Sequence, residues 1–495
     1  MSEVETLIIG AGPAGMAAAM ELSKVNKKIL IIEKQKSVGG LAKTLTFEEE
    51  GATFFSDIGP HRFFSQNKYL YDFIENLIHD KWIKVNRLTR QYIGGKFYDY
   101  PINAAQALKN IGMKKAFRIF LDYLFAQIVY KILRKKIKNF KDYVIANFGR
   151  SLAELNMINY TEKVWGIECS KIHPDWAKQR IKSLTLISAL KSIFTKGKDP
   201  RSMVDQFYYP EDGTHLIYKT IEEKIIQKGN EVLTESYPTK IKHDGKLITE
   251  VIINTRGKEE SFKPKYLVES ITMKNFVNLL EPSAPDCVLE AIKTLKYRSQ
   301  VYLFITLDKE SITKDQWIYF PEKEIPFGRV SEMKNFSKKM SPDGKTSLFV
   351  EFFCFEGDKT WNMDKESLFE LALNHFERLG FFTRKEVRNY YLIKQKNVYP
   401  IYDLDYQKNL ELIKAYLNKF ENLFFIGRPG RFKYNNQDHS LEMGILAARS
   451  IIDEKKYDIE SVGSEIEYYE KGDLNVSNKQ KVSFNWMVLE DRDET

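Results

Sequence analysis

An α/β fold is predicted, built on a Rossmann-type parallel sheet with a second, mixed β-sheet and a helical insertion. Three observations lead to it. Residues 4–33 set strand, glycine turn, helix and strand in register; residues from about 104 to 192 keep a helical period; strand-rich segments return at 232–267 and 297–355. Switching between the two periods is the mark of a mixed α and β chain. At 495 residues there is room for two or three domains.

The first element reads VETLIIGAGPAGMAAAMELSKVNKKILIIEK. A buried strand runs into Gly10, Gly12 and Gly15, a helix of small residues follows, and a second strand ends at Glu33. Gly10 permits the tight turn, Gly12 lets backbone approach a pyrophosphate, and Gly15 lets helix and strand pack closely. The helix N-terminus then faces the pyrophosphate, and the Glu33 carboxylate can accept from both ribose hydroxyls. A lone glycine fingerprint is weak, but here strand, glycines, helix, strand and acid agree, so a dinucleotide site is expected.

Further along, residues 54–65 read as a strand and turn, and 91–102 as a hairpin through Gly94 and Gly95. Residues 206–226 read as strand, turn and helix, and short strands follow with Asp244-Gly245 as a hairpin turn. Helices are expected at 365–379 and 407–419, and a polar, acidic tail after about Ser461. The last folded segment, FIGRPGRFKYNNQDHSLEMGILAARSII (425–452), passes from buried strand to helix through a turn crowded with polar and cationic side chains. Such a junction suits an anion.

Net charge is +9, with lysines interleaved among acids along the whole chain, which reads as a solvated basic surface. No basic tract or module indicates nucleic acid. Three widely spaced cysteines (Cys169, Cys287, Cys354) fit a reducing compartment and exclude a disulfide framework. No His, Cys and carboxylate spacing suits a metal, so none is expected. Met1 leads straight into a strand, which predicts no signal peptide and a cytoplasmic protein. The most lipid-like run, IFLDYLFAQIVYKIL (119–133), is too short and too charged to span a bilayer. A half-buried helix is favoured over an interfacial one; peripheral membrane contact through 114–140 and homo-oligomerisation stay open.

Several separated motifs resemble one flavoprotein family. The Gly39-Gly40 continuation after Glu33 is similar to the superfamily of amine oxidases, protoporphyrinogen oxidases, phytoene desaturases and UDP-galactopyranose mutases. YTEKVWGI (160–167), DWAKQRI (175–181), WIYFPEKEIPFGRV (317–330), VYPIYD (398–403) and GRPGRFKYNNQDHS (427–440) resemble, in that order, blocks of the eukaryotic-type UDP-galactopyranose mutases. The resemblance runs from Met1 to about Asp453.

It implies an FAD-binding domain assembled from 1–100, 206–295 and 420–460, a helical domain over 101–205, a substrate-side sheet over 296–419 and a tail from 461 to 495. It also implies exchange between pyranose and furanose forms of a nucleoside-diphosphate sugar. In that reaction N5 of reduced flavin attacks the anomeric carbon, and NAD(P)H is the usual reductant. By motif match Arg329 and Arg428 would clamp the diphosphate, with Tyr399 and Tyr434 as phenolic donors and Arg180 near substrate or flavin. Trp317 would line the sugar pocket, His61 would sit beside the flavin ring where protonation affects redox behaviour, and Asn436 and Gln437 would contact FAD with Gly10, Gly12, Gly15, Glu33 and Gly40. The chain departs from the family at Gly59-Pro60-His61, where proline restricts any backbone flip, and at PEDGTH (210–215), which has fewer glycines. A flavin oxidase or dehydrogenase of the protoporphyrinogen oxidase or desaturase type is the competing reading, because one fold hosts both chemistries.

Overall fold

Small residues decide how the N-terminal helix meets the rest of the chain. The first strand, β1 (Ser2–Ile9), turns through the glycines into helix α1 (Pro13–Leu22), and β2 (Ile29–Ile32) returns beside β1 in parallel. Buried residues lie all round α1, as expected of a helix enclosed by other elements. On the sheet side a Cβ at Gly15 would stand 2.0 Å from the Gly10 carbonyl oxygen. On the other side a Cβ at Gly444 would stand 2.1 Å from the Ala14 carbonyl oxygen. The last helix, Gln437–Ile452, therefore lies backbone to backbone against α1.

The computed structural model describes residues 2–25, 27–65, 67–100, 104–180 and 206–463, without the side chains at 104, 105 and 178–180. The expected helix beyond 180 and the tail beyond 463 lie outside the described residues. Eight strands form the first sheet. Its parallel part runs Leu423–Phe425, Lys258–Glu269, β1, β2, Glu231–Leu233, so three separated stretches of chain build it. An antiparallel flank, Ser236–His243 and Ile248–Thr255, continues from Lys258–Glu269, with the expected turn at Asp244-Gly245 between them.

The second sheet has seven strands and is mixed. Its centre pairs Tyr297–Leu307 with Thr346–Cys354 on one side and Val387–Pro400 on the other, all antiparallel. The two central strands are buried almost throughout, which explains why they read as apolar runs rather than as alternating strands. Helix Lys365–Leu379 covers one face through Leu368, Phe369, Ala372 and Phe376.

One piece joins a sheet other than the one expected of it. The hairpin Thr89–Ile93/Lys96–Asp99, expected with the dinucleotide domain, joins the second sheet by parallel pairing with Trp317–Tyr319. The strand Gln206–Pro210 stays with the N-terminal stretch but joins neither large sheet: it pairs with Trp82–Asn86 in a two-stranded sheet and bridges Phe63 through Tyr208. Alternation sets which face of a strand is buried and says nothing about which sheet it joins.

The helical stretch starts with Ala104–Ile111 and Met113–Gln127 and continues to Pro174–Arg180. Helix Met113–Gln127 is half-buried, but only narrowly: Tyr123 and Ala126 face the fold while Phe117, Leu121 and Phe125 face outward.

The contact between α1 and the last helix generates a stability prediction. Gly444→Val should lower unfolding free energy by about 3 kcal/mol or more, since the added carbons meet backbone that cannot yield. Denaturant titration at constant slope measures it.

Candidate active site

The fingerprint turn has the shape a dinucleotide requires. Gly10 takes φ +97°, and a Cβ there would stand 2.5 Å from Ser270 Oγ. Gly12 is the N-cap of α1 with Pro13 behind it and no side-chain cap, so the first-turn N–H groups point outward at the positive end of the helix. Gly40 closes the other side, where a Cβ would come within 3.0 Å of Gly12 Cα. Glu33 accepts from Ala11 N–H at 2.9 Å and Gln35 N–H at 2.8 Å. A carboxylate has about four acceptor positions, so capacity for ribose hydroxyls remains.

The strand-to-helix junction comes back to this turn. A Cβ at Gly427 would meet Ala14 Cβ at 3.1 Å, and Gln437 donates to the Tyr218 hydroxyl, whose ring borders Gly39. Between the junction and the second sheet lies a cavity of about 100 Å³. It is lined by His61, Arg329, Tyr399, Arg428, Tyr434 and Asn436, together with Gln300, Tyr302 and Glu351. Six residues from four separated sequence segments thus converge on one space.

The two arginines differ. Arg329 forms a fork on Glu351, with Nε at 2.5 Å and Nη2 at 2.7 Å from the carboxylate. Glu351 is 1% exposed and accepts in addition from Gln300 Nε2 at 3.0 Å; Gln300 in turn accepts from the Tyr302 hydroxyl at 2.8 Å. Arg428 donates only to carbonyls, those of Asn435 and Val398, and has no carboxylate in ion-pair range among the described residues. Its guanidinium lies 5.1 Å from the ring centres of both Tyr399 and Tyr434. The two expected diphosphate contacts are therefore unlike: Arg428 has no acid partner among the described residues, and Arg329 is largely neutralised by a buried one.

The phenols are held rigidly. Tyr399 and Tyr434 stack at 5.4 Å, and Trp165 and Trp176 meet Tyr434 edge-on at 6.1 and 5.0 Å. Burial pushes the Tyr399 hydroxyl above the ordinary phenol range, so it stays protonated as a donor. Lys163, two residues before Trp165, has its ammonium within hydrogen-bond range of four carbonyls of residues 320–327, among them Phe320 at 2.6 Å and Ile325 at 2.8 Å. That tether holds the loop leading into Arg329.

His61 carries no charge at neutral pH. Burial, and then the positive charges of Arg428 and Arg329, push its pKa down to about 3. Its Nδ1 is buried without a hydrogen-bond partner, as is Gln437 Oε1. His61 thus faces the cavity as a neutral ring.

The remaining expected residues separate. Trp317 is 3% exposed, stacks on Phe336 and belongs to a core cluster, so it is not among the residues lining the cavity. Its strand places it on the buried face of the second sheet. Asn436 starts the last helix in a capping box with His439, its N–H donating to His439 Nδ1 at 3.2 Å. Arg180 ends the helix Pro174–Arg180, and its side chain lies outside the described residues.

Residues 8–77 match the NAD(P)-binding Rossmann-like domain family. A solved structure of reduced UDP-galactopyranose mutase superposes with a TM-score of 0.78, covering 94% of this chain and 96% of that one at 21% identity. The chain has the UDP-galactopyranose mutase fold. Sequence relatives fall on both sides of that fold's chemistry. An L-amino-acid oxidase of Demansia vestigiata is 19% identical over 90% of this chain and 86% of its own length. A UDP-galactopyranose mutase of Mycoplasma genitalium is 25% identical over 35% of this chain and 42% of its own.

Within this fold, sequence reasoning overlooked Glu351, Gln300, Trp165 and Trp176. A signal existed for each of the first two: a lone acid in TSLFVEFFC and a lone amide in YRSQVYLFITL, both otherwise buried strands. A charge in such a run implies a partner. The tryptophans stand in the YTEKVWGI and DWAKQRI blocks, where no role was read for either.

Two predictions follow from these environments. Between about pH 8 and pH 5 the His61 ring resonances should not titrate in NMR spectra. The unfolded imidazole takes its proton near 6.5 and the folded one near 3, so His61 contributes stability above about pH 6.5 that is lost progressively as pH falls. Second, Glu351→Leu should cost about 3–5 kcal/mol by stranding Arg329, and Arg329→Met combined with Glu351→Leu should recover most of it.

Proposed function

We propose that this chain is an FAD-dependent sugar-nucleotide mutase that interconverts pyranose and furanose forms of a nucleoside-diphosphate sugar. One observation carries the reading: Arg428, uncompensated and flanked by the phenols of Tyr399 and Tyr434, faces the same small cavity as Arg329 and His61, next to a dinucleotide turn. That is a site for an anion beside a cofactor.

FAD fits the residues present. The uncapped start of α1, the Gly12–Gly40 approach and the Glu33 carboxylate suit its adenosine diphosphate half. The partnerless buried atoms of His61 and Gln437 offer polar contacts towards its ring. Bound and reduced, with NAD(P)H as reductant, FAD would supply the nucleophile for a reaction without net redox change. The chain's own residues would bind, orient and exclude water. Arg428 and the two hydroxyls meet the negative charge that grows on the diphosphate as its bond to the sugar breaks. Glu351 fixes the Arg329 fork, so that Arg329 positions by shape and hydrogen bonding more than by net charge. Neutral His61 can donate or accept one hydrogen bond without adding charge beside the cofactor.

One observation favours a second reading, an oxidase acting on an α-amino acid or another amine. With Arg329 neutralised by Glu351, Arg428 is the one cation without an acid partner among the described residues lining the cavity, which is enough for one carboxylate.

The test is anaerobic. Dithionite-reduced protein incubated with UDP- or dTDP-sugars should give ring-size isomers, separable by chromatography, without stoichiometric flavin oxidation. Arg428→Ala should lower kcat by about 10²–10³-fold. Hydrogen peroxide formed in air from an amino acid or amine, with no nucleotide sugar bound, would replace the mutase reading by the oxidase one.

A further inference from the structure

We propose that helix Met113–Gln127 and the turn after it seat the protein on an anionic lipid surface. The helix has two apolar faces. Its inner face is spoken for: Tyr123 and Ala126 are buried, and Gly149 lies so close that a Cβ there would stand 2.7 Å from Tyr123 N. Its outer face repeats at helical spacing through Phe117, Leu121, Leu124, Phe125, Ile128 and Ile132. Phe125 is 68% exposed and Ile132 70%. Among the described residues, eleven of the eighteen exposed large hydrophobic side chains fall between 108 and 137. Scattered apolar side chains are ordinary on a surface; a concentrated patch marks a binding face.

Charge selects the occupant. Residues 113–138 hold eight lysines and arginines against one acid, Asp122. Asp122 is turned toward the fold, accepting from the Ser151 hydroxyl and from Ser151 N–H at 3.2 Å. Lys135 is paired with Asp142 at 3.1 Å, and the exposed Arg118 and Lys131 lie within the stretch, so the outward apolar side chains are bordered by Lys114 and Lys115 at one end and by Arg134 and Lys136 at the other. A second copy docked through the same face would bring like charges together in a self-complementary contact. Anionic headgroups would instead neutralise both ends while the aromatic residues enter the acyl boundary. Fifteen residues of helix span roughly 22 Å, short of the ~30 Å hydrocarbon core, and no described helix is long and apolar enough to cross a membrane. The helix thus lies in the interface plane, in the manner of interfacial amphipathic helices. This inference does not depend on which reaction the cavity performs.

The experiment is flotation of the full chain with vesicles of phosphatidylcholine alone and of phosphatidylcholine containing roughly one quarter phosphatidylglycerol. Binding is expected only to the anionic vesicles, falling at least about tenfold when salt rises from ~0.1 M to ~1 M. Phe117→Ser with Phe125→Ser should abolish it. Lys114→Glu, Lys115→Glu and Lys136→Glu together should weaken it at least about tenfold, and this set decides the matter if the phenylalanine variant fails to fold. The proposal is overturned if the wild-type chain stays unbound with anionic vesicles or if folded variants float as well as wild type. It is equally overturned if light scattering shows a dimer that the phenylalanine variant dissociates while no vesicle is bound.

Discussion

A helix that turns alanines and a glycine toward its neighbours holds the first strand and the last described helix together. Because α1 presents alanines and glycine, β1 can lie against one side of it and the last helix against the other, close enough that a single Cβ at Gly15 or Gly444 would strike a carbonyl. Everything functional in the junction depends on that approach. The last helix is fixed by its contact with α1, so its first residues, Asn436 and Gln437, are delivered to the glycine turn some 400 residues earlier in the chain. Backbone packing of this kind leaves little freedom for the connecting turn, and Arg428 and Tyr434 are placed as a consequence.

Around that frame, burial sets the electrostatics. A buried carboxylate cannot stay charged alone, so Glu351 draws the Arg329 fork and the Gln300 amide to itself. The cost of two desolvated charges is offset by three well-made hydrogen bonds, and the product is a rigid, nearly neutral wall. Arg428, satisfied by carbonyls and aromatic faces, keeps its charge for whatever enters. His61 lines the same cavity, and burial first, then the charges of Arg428 and Arg329, hold it neutral. The cavity's character is therefore one net positive charge, two fixed phenols and a neutral imidazole.

Much of this was legible in residue order. The dinucleotide turn, the Asp244-Gly245 hairpin, the helices at Lys365–Leu379 and Tyr406–Leu417 and the gathering of His61, Arg329, Tyr399, Arg428 and Tyr434 can each be traced to a local pattern or motif. The misreadings share a cause. Trp317 was read as pocket-lining because it stands in a motif, yet the side of a strand that faces the cavity depends on pairing partners remote in sequence. The hairpin at 89–99 changed sheets for the same reason. Trp165 and Trp176 matter because they support tyrosines more than 200 positions away, a relation no local window contains.

By itself, then, the sequence determined the secondary elements, the glycine turn that suits a dinucleotide, and which side chains carry cationic or phenolic chemistry. Tertiary structure alone decided which cation is free. Arginine has the same charge wherever it stands in the chain, but its effective charge depends on what is buried within a few ångströms of it. Glu351 reaches Arg329 across two paired strands, and no acid reaches Arg428 among the described residues. Likewise, apolar spacing announced the helix at 113–127, and only packing revealed that its narrow inner face is covered and its broad outer face is not. Periodicity records that a helix has an apolar side; which side is met by the rest of the protein is a property of the fold.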